Sequence, residues 1–212
     1  MKKGFDSNKD LTRFATSLAN KGYDFVGRYY NVNNPSKNLT LGEAHVLSQA
    51  GISIIAVWEN GYPTSASYFS HAKGVDDGTS AYQYASSQIN QPSLTPIYFA
   101  VDYDASAADI NGPITEYFQG VMEGFNTISR NNPQYFIGVY GSGLTCDSIL
   151  NVGNATYAWL AQSMGWRGSR TFTRYNIKQG LPIVECAELG GVNGDPNESP
   201  NDTEGSFTVT VD

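Results

Sequence analysis

The feature that most constrains this chain is a regular alternation of short apolar segments with longer amphipathic stretches. Successive apolar segments start about 26 residues apart and are rich in β-branched and aromatic residues. This order predicts βα units around a parallel sheet, and the near-continuous apolar character of the short segments suits strands buried on both faces. The clearest strand candidates lie at 24–30, 53–59, 96–102, 135–140 and 156–161.

The number of strand candidates favours a barrel. Seven or eight segments qualify, counting a short one at 3–5 and a less regular one at 183–187. We therefore predict a single small (β/α)8 TIM-type barrel over residues 1–212 rather than an open doubly wound sheet. An irregular last strand is expected because residues 190–205 are dense in Gly, Asn, Pro and Asp. Helices are expected at 10–21, 40–51, 79–88 and 113–130.

Charge and hydropathy exclude two classes of partner. A net charge of −7 and a pI near 4.7 argue against binding to nucleic acid, which depends on Lys and Arg. No apolar run approaches the roughly 18 residues of a membrane helix, so membrane insertion is not expected. Met1-Lys2-Lys3 precedes no apolar segment of a signal peptide. The protein therefore stays in the cytoplasm, leaves by another route, or has lost a leader.

Cysteine and histidine do not suggest a metal site. Cys146 and Cys186 lack metal-type spacing and allow one disulfide at most, and plain buried thiols are favoured over that pairing. His45 and His71 lie in helical stretches without a ligand-spaced partner. We expect no metal and no organic cofactor.

The carboxyl ends of the predicted strands carry carboxylates and aromatic rings. In a parallel α/β architecture these ends gather at one face, where reactive residues lie. No serine or cysteine occurs there in a nucleophile-elbow motif. Sugars present flat C–H faces that stack on aromatic rings, so a polysaccharide ligand is expected. The expected substrate contacts are Arg28, Tyr30, Trp58, Glu59, Tyr140, Trp159 and Gln162.

Asp102 and Asp104 are the sharpest candidates for chemistry. Residues two apart on a strand point to the same face, so both carboxylates are expected in one pocket. Two close carboxylates push their pKa values apart, and glycosidic bond cleavage requires one protonated and one ionised group. The alternative is that either aspartate caps the following helix or starts the turn. Asp6 and Glu59 at other strand ends favour the catalytic interpretation.

Several of these residues also fit plainer roles. Arg28 fits an ion pair with a pocket carboxylate as well as a substrate contact. Trp58, Tyr140 and Trp159 each fit a core position as well as a sugar platform. The pair at 76–77 is expected to start a helix or to lie in a loop.

Five segments together resemble a known family. They are Gly4-Phe5-Asp6, the strand at 25–30, the segment at 97–104, Ile137-Gly138-Val139-Tyr140-Gly141 and Trp159-Leu160-Ala161-Gln162. The combination resembles the glycoside-hydrolase-like domain catalogued as domain of unknown function 1906. That family is similar to the lysozyme-type glycoside hydrolases of family 25, whose (β/α) barrels cut the muramic acid linkage of peptidoglycan. The resemblance implies a bacterial protein that is secreted or associated with the cell envelope.

The resemblance also implies roles for four aspartates. Asp6 matches the acidic residue that ends the first strand. Asp102 and Asp104 match an Asp-x-Glu pair on the fourth strand, with Asp104 in the place of the general-acid glutamate. Asp195, in Asp195-Pro196-Asn197, matches the Asp-x-Asn of the last strand. Asp in place of Glu shortens the acid by one methylene group, which is a departure from the family pattern.

Three functional hypotheses follow. The first is a glycosidase in which Asp104 protonates the leaving oxygen, while Asp102 and Asp6 stabilise an oxocarbenium or N-acetyl-derived intermediate. The second is a carbohydrate-binding barrel without catalysis, which the Asp-for-Glu departure favours. The third is a hydrolase that binds a hard cation through Asp6, Asp102, Asp104 and Asp195. Nothing in the sequence requires more than a monomer.

Overall fold

Eight strands close into a barrel in which all but one are parallel. The computed structural model describes residues 1–181, 183–186, 191–200 and 202–210, with 183–186 described by their backbone. The strands are β1 Lys2–Asp6, β2 Phe25–Tyr30, β3 Ser53–Trp58, β4 Pro96–Ala100, β5 Phe136–Gly141, β6 Tyr157–Leu160, β7 Ile177–Gln179, β8 Ile183–Cys186 and β9 Val192–Ser199. Strands β1 to β7 pair in chain order, and β9 closes the barrel by pairing antiparallel with both β7 and β1.

Helical segments follow the first five strands. They are α1 Ala15–Asn20, α2 Leu41–Gln49, α3 His71–Gln83, α4 Ala107–Asp109, α5 Thr115–Ile128 and α6 Gly143–Asn151. Short 3-10 turns occupy Thr12–Phe14, Pro35–Lys37 and Ala66–Tyr68, and π-helical turns occupy Tyr84–Ile89 and Ile110–Ile114.

The barrel prediction is confirmed, but the last third of the chain departs from the predicted alternation of strands and helices. No helix occurs after α6 in the described residues, so the repeat of strand and helix stops there. The last barrel strand, β9, enters through an antiparallel pairing with β8. An antiparallel strand can follow a hairpin and needs no crossover helix, which explains the departure from an eightfold repeat.

Alternation along the strands sorts the buried residues into two cores. One small cluster fills the barrel interior and consists of Phe25, Ile55, Val57, Tyr98, Ala100, Trp159 and Ile177. A larger cluster lies between the outer face of the barrel and the helices, and it includes Val26, Ile54, Ala56, Ile97 and Phe99. Neighbouring strand residues thus belong to different cores, as a side-chain period of two requires.

Helix α3 begins eight residues before the expected start at 79. Ser70 caps it, because its hydroxyl accepts a hydrogen bond of 3.2 Å from the backbone N–H of Lys73. Gly74 packs so closely on α5 that an added Cβ would lie 2.0 Å from the Tyr117 carbonyl oxygen. Glycine and aspartate in the first turns of α3 weaken the apolar pattern, so the start of the helix is not recognisable in the sequence. Asp76 and Asp77 therefore lie within α3 rather than at a helix start or in a loop.

The C-terminal residues cover the amino-terminal end of the barrel. Phe207 forms an antiparallel bridge with Ile54, and Tyr98 donates a hydrogen bond of 2.8 Å from the barrel interior to the Glu204 carbonyl oxygen. The Glu204 side chain is buried and accepts a bond of 2.7 Å from the Lys2 ammonium. This ion pair connects the first strand to the C-terminal residues.

Loss of the Lys2–Glu204 ion pair is expected to reduce stability above pH 5 and to flatten its acid dependence. Burial alone would raise the pKa of Glu204, but hydrogen bonds from Lys2 and Ser206 hold that pKa below its ordinary value. A lowered carboxyl pKa stabilises the fold above the unfolded-state pKa, and the stabilisation is lost as the pH falls through the folded-state pKa. Urea denaturation at pH 3 to 7 should show Lys2→Met about 1 kcal/mol less stable at pH 7 and equal to wild type at pH 3. Lys9→Met, which removes an exposed lysine, is the control.

Cys146 is a free, buried thiol, and burial raises its pKa above the ordinary range. The side chain of Cys186 lies outside the described residues. Among the helices that the structure describes, none has the length and apolar character to cross a bilayer.

Candidate active site

A cavity opens at the carboxyl end of the parallel strands. Its volume is about 160 Å³, below the roughly 300 Å³ of typical small-molecule pockets, so it suits one sugar-sized group rather than a whole oligosaccharide. It is lined by Asp6, Tyr29, Val57, Glu59, Ala100, Asp102, Tyr140, Trp159, Gln162, Gln179 and Asp195. Four carboxylates and three aromatic rings therefore surround one small space.

Three expected substrate contacts do not reach this cavity. Tyr30 and Trp58 belong to the core between barrel and helices, and Arg28 alternates with the inward Gly27 and Tyr29 on β2. The reason is the two-residue period of a strand: nearness to the strand end does not fix which face a side chain takes. Tyr29, rather than Tyr30, lines the cavity.

Arg28 holds the fold together around the site. Its side chain is fully buried and forms a two-pronged ion pair with Glu43, with Nε–Oε1 at 2.6 Å and Nη2–Oε2 at 3.0 Å. Nη1 also donates to the backbone carbonyls of Ser7 and Lys37, at 2.6 and 3.1 Å. Arg28 thus fixes the loops that follow β1 and β2. Glu43 follows the Thr40 cap, whose hydroxyl accepts the Glu43 N–H at 3.1 Å, but its carboxylate turns to Arg28.

The structure does not bring Asp104 into the cavity with Asp102. Strand β4 ends at Ala100, and only Asp102 lines the cavity. The Asp104 carboxylate binds Arg167 instead, through the backbone N–H at 2.7 Å and the guanidinium at 2.8 Å. Because the chain leaves extended geometry after Ala100, the rule that residues two apart share a face no longer applies. Neither aspartate caps the next helix, since Ser106 caps α4.

Asp6 and Asp195 face each other across the β1–β9 ladder. They are register partners, and like charges in that position repel. Asn197 and Gln179 donate amide hydrogen bonds to Asp6 Oδ2 at 2.7 and 3.0 Å, and Gln179 also reaches Asp195 Oδ2 at 3.1 Å. Burial, followed by the charge of Asp195, raises the pKa of Asp6 to about 7 despite these bonds. Burial and then Asp102 raise the pKa of Asp195 as well.

Glu59 carries the cavity's contact with a cation. Its Oε1 atom lies 3.0 Å from the Lys37 ammonium, which also sits 5.5 Å from the centre of the Tyr29 ring. Burial raises the pKa of Glu59, while Lys37 acts in the opposite direction. The pKa of Asp102 is likewise raised by burial and lowered by Lys37.

Aromatic rings form the rest of the wall. Tyr140 and Trp159 meet edge to face, with ring centroids 5.5 Å apart. Trp159 Nε1 donates to Asn197 at 2.9 Å, and Tyr140 OH donates to Gln179 at 2.8 Å. These bonds fix both rings against the amides that hold the Asp6–Asp195 pair, so the polar and aromatic parts of the site form one network. Gln162 joins it through its backbone N–H, which lies 3.3 Å from Gln179 Oε1.

Four residues of this network are not among those predicted from the sequence. Alternation along β2 could have identified Tyr29 as a residue that faces the barrel interior. Asn197 lies in the Asp-x-Asn motif but was given no role. Gln179 and Lys37 could not be predicted from the sequence, because a three-residue strand and a loop lysine have no recognisable pattern. Their roles depend on pairing between segments that are distant in sequence.

The four aspartates of the hard-cation hypothesis are not gathered at one point. Asp104 lies with Arg167, whereas Asp6, Asp102 and Asp195 line the cavity. In the described part of the chain, no three His, Cys, Asp or Glu side chains are grouped as metal ligands.

The fold and this acidic, aromatic cavity define a glycoside hydrolase-like barrel. The chain belongs to the Rv2525c-like, glycoside hydrolase-like domain family, whose model matches residues 16–188. The uncharacterized protein YbfG of Bacillus subtilis (strain 168) is 35% identical over 164 residues, covering 73% of this chain and 22% of YbfG. The chain spans about a quarter of the length of the curated relatives it matches.

Solved structures share the fold at low identity. The Tat-secreted protein Rv2525c of Mycobacterium tuberculosis, in complex with L-tartrate, aligns with a TM-score of 0.76 and 20% identity, covering 97% of this chain and 98% of that one. A family 25 glycosyl hydrolase from Bacillus anthracis aligns with a TM-score of 0.61 and 10% identity, covering 96% and 91%. A muramidase from Acremonium alcalophilum aligns at 0.56 and 19%, covering 95% of both chains.

Proposed function

We propose that this protein is a glycoside hydrolase that cleaves an amino-sugar glycan of the cell-wall type, such as peptidoglycan. The observation that carries the proposal is the cavity at the barrel mouth, where Asp6, Glu59, Asp102 and Asp195 surround the space next to Tyr140 and Trp159. Glycosidic cleavage needs a proton donor and an anionic group on either side of the bond. Aromatic faces suit the C–H faces of a sugar ring. The barrel shared with a family 25 hydrolase and a muramidase supports the substrate class.

The cavity also suggests which part of the substrate it holds. One sugar unit fits the space of about 160 Å³, and the rest of the glycan lies along the open mouth. In this proposal Asp102 stabilises the positive charge that develops on the anomeric carbon. No metal or organic cofactor takes part. We place the protein outside the cell or at the cell envelope, which the Tat-secreted relative Rv2525c supports. We further propose that it acts as a monomer.

Replacing Asp102 is expected to abolish most turnover. Asp102→Asn keeps the shape of the side chain and removes its charge, so reducing-end release from peptidoglycan or chitin-type oligosaccharides should fall by about 10²- to 10⁴-fold. Asp104→Asn is the matched control, since Asp104 is bound to Arg167 outside the cavity and its replacement should leave release within a few-fold of wild type. A large loss in Asp104→Asn with little loss in Asp102→Asn would return the acid role to Asp104 and contradict this arrangement.

A second candidate function is a carbohydrate-binding barrel without catalysis. The ion pair between Asp104 and Arg167 favours it, because the residue in the place of the family 25 general acid is held away from the cavity. This function predicts binding of the same polymers in a pull-down with no reducing-end release from wild type. Glycan release by wild type that disappears in Asp102→Asn would exclude it.

A further inference from the structure

The four cavity carboxylates form two pairs with different surroundings. Asp6 on β1 and Asp195 on β9 are register partners. Glu59 follows β3, and Asp102 follows the neighbouring β4. Strand β2 separates the two pairs and places Tyr29 between them.

Amides, not cations, hold the first pair. Gln179 Nε2 donates to both carboxylates, and its Oε1 accepts from Tyr140 OH at 2.8 Å, so the orientation of the amide is fixed. Asn197 adds a second amide donor to Asp6. No Lys, Arg or His forms an ion pair with Asp6 or Asp195 in the part of the chain that the structure describes. Two facing carboxylates without a cation relieve their repulsion by keeping a proton.

A cation lies next to the second pair. The Lys37 ammonium lies 3.0 Å from Glu59 Oε1. The backbone around Lys37 is held by Arg28, which donates to the carbonyls of Lys37 and Asn38 at 3.1 and 3.3 Å. Asn31 donates to the Glu59 carbonyl and so connects the same loop to β3. These contacts position the backbone of Lys37 near the end of β3, and its ammonium beside Glu59 favours the ionised carboxylate.

We propose that the Asp6–Asp195 pair, oriented by Gln179, is the proton donor of the reaction, and that Lys37 keeps Glu59 ionised as the anionic group facing it. This assignment rests on the proposed glycosidase function. The proton passes from the pair to the glycosidic oxygen as the anomeric C–O bond breaks, and the leaving sugar departs as an alcohol. Glu59 shares with Asp102 the role of balancing the positive charge at the anomeric carbon. Water then adds to that carbon, and its proton returns to the aspartate pair.

The charges around each group agree with this division. Burial, followed by the charges of Asp195 and Glu59, raises the pKa of Asp6 to about 7, although the amide hydrogen bonds from Asn197 and Gln179 act to lower it. Burial raises the pKa of Glu59 as well, and the charge of Asp102 adds to that rise, whereas the charge and hydrogen bond of Lys37 act to lower it. The hydroxyls of Tyr29 and Tyr140 face both pairs, and burial raises their pKa values well above the ordinary range, so they remain neutral. Burial thus acts in the same direction on both groups, and the Lys37 cation beside Glu59 is what distinguishes the anion from the proton donor.

A carboxyl titration tests the assignment without any turnover. Carbon-13 NMR of Asp- and Glu-labelled protein between pH 3 and 9 should show Asp6 titrating at higher pH than Glu59. Lys37→Met should raise the Glu59 midpoint by about 1 pH unit and leave the Asp6 midpoint nearly unchanged. Lys178→Met is the control, because Lys178 lies 3.8 Å from Glu198 and does not line the cavity. The proposal is overturned if Glu59 titrates at higher pH than Asp6, or if Lys37→Met shifts the Asp6 midpoint more than the Glu59 midpoint.

A second variant tests the role of Gln179 as a positioning residue. Gln179→Met removes the shared donor, so the Asp6 midpoint should rise above its wild-type value while the Glu59 midpoint stays in place. An unchanged Asp6 midpoint in a folded Gln179→Met protein would contradict the role of Gln179.

The pH profile of reducing-end release then connects the titration to catalysis. Lys37→Met should shift the acidic limb of the profile to higher pH. Gln179→Met should shift the alkaline limb to higher pH. If wild type releases reducing ends from none of the glycans but the titrations are as expected, the glycosidase function is refuted and the protonation assignment stands. If wild type releases reducing ends but Glu59 titrates at higher pH than Asp6, the glycosidase function is supported and the protonation assignment is refuted.

Discussion

Replacing Arg28 with methionine is expected to lower the free energy of unfolding by about 3–5 kcal/mol, because it leaves the buried Glu43 carboxylate without its partner. Both side chains are fully buried, and Glu43 Oε1 also accepts the Leu11 N–H at 2.8 Å. The loss includes the backbone carbonyls that Arg28 satisfies. Urea denaturation at pH 7, followed by circular dichroism, measures it. Arg174→Met is the control, because its pair with Asp147 is half exposed and its removal should cost less than about 1 kcal/mol.

The double variant Arg28→Met/Glu43→Leu separates the charge from the packing. A buried ion pair replaced by apolar residues of similar size is often near neutral in stability. We therefore expect the double variant to recover more than half of the loss. The remainder is due to the backbone groups left unpaired, which are the carbonyls of Ser7, Lys37 and Asn38 and the N–H of Leu11. A double variant as unstable as Arg28→Met would show that the backbone contacts, and not the buried charge, carry the effect.

Replacing Asp6 with asparagine is expected to stabilise the protein at pH 8 by about 2–4 kcal/mol. The folded-state pKa of Asp6 is raised to about 7, chiefly by burial. Between pH 4 and 7 the folded state therefore binds more protons than the unfolded state. The free energy of unfolding consequently falls as the pH rises, and the loss is complete above pH 7. Asparagine is never ionised, so it avoids this loss and can still accept an amide hydrogen bond.

Thermal or urea unfolding at pH 5 and pH 8 tests this prediction. Wild type should lose stability between the two pH values, and Asp6→Asn should lose less. Asp104→Asn serves as the control, since that carboxylate is partly exposed and paired with Arg167. Equal pH dependence of wild type and Asp6→Asn would mean that Asp6 is ionised without cost, against the proton-holding pair. A stabilised but less active Asp6→Asn would fit an active site that trades stability for function.

Most residues that line the cavity lie at the carboxyl ends of strands. Asp6, Glu59, Asp102, Tyr140, Trp159 and Gln162 were predicted from their positions at strand ends, and Asp195 from the family resemblance; all of them line the cavity. Arg28, Tyr30 and Trp58 also lie at strand ends and do not. Alternation with Tyr29 and Glu59 would have separated them, because the period of two is visible in the sequence. Their catalytic and binding roles remain predictions for the experiments above.

The positions of Asp104 and Gln179 could not be obtained in the same way. Asp104 leaves the cavity because Arg167, 63 residues later in the chain, binds its carboxylate. Gln179 enters it because β7 pairs antiparallel with β9, opposite Asn197. Neither contact leaves a local pattern in the sequence.

The sequence by itself determined the barrel class, the order of its first six strands and the concentration of carboxylates and aromatic rings at their carboxyl ends. It could do so because these properties depend on local hydrophobic periodicity and on the shared direction of parallel strands. Only the tertiary structure decided that β9 closes the barrel in the antiparallel sense, that Asp6 faces Asp195, and that Lys37 reaches Glu59. These contacts join residues far apart in the chain. Their protonation and pairing depend on burial and on neighbours that come together only when the barrel closes.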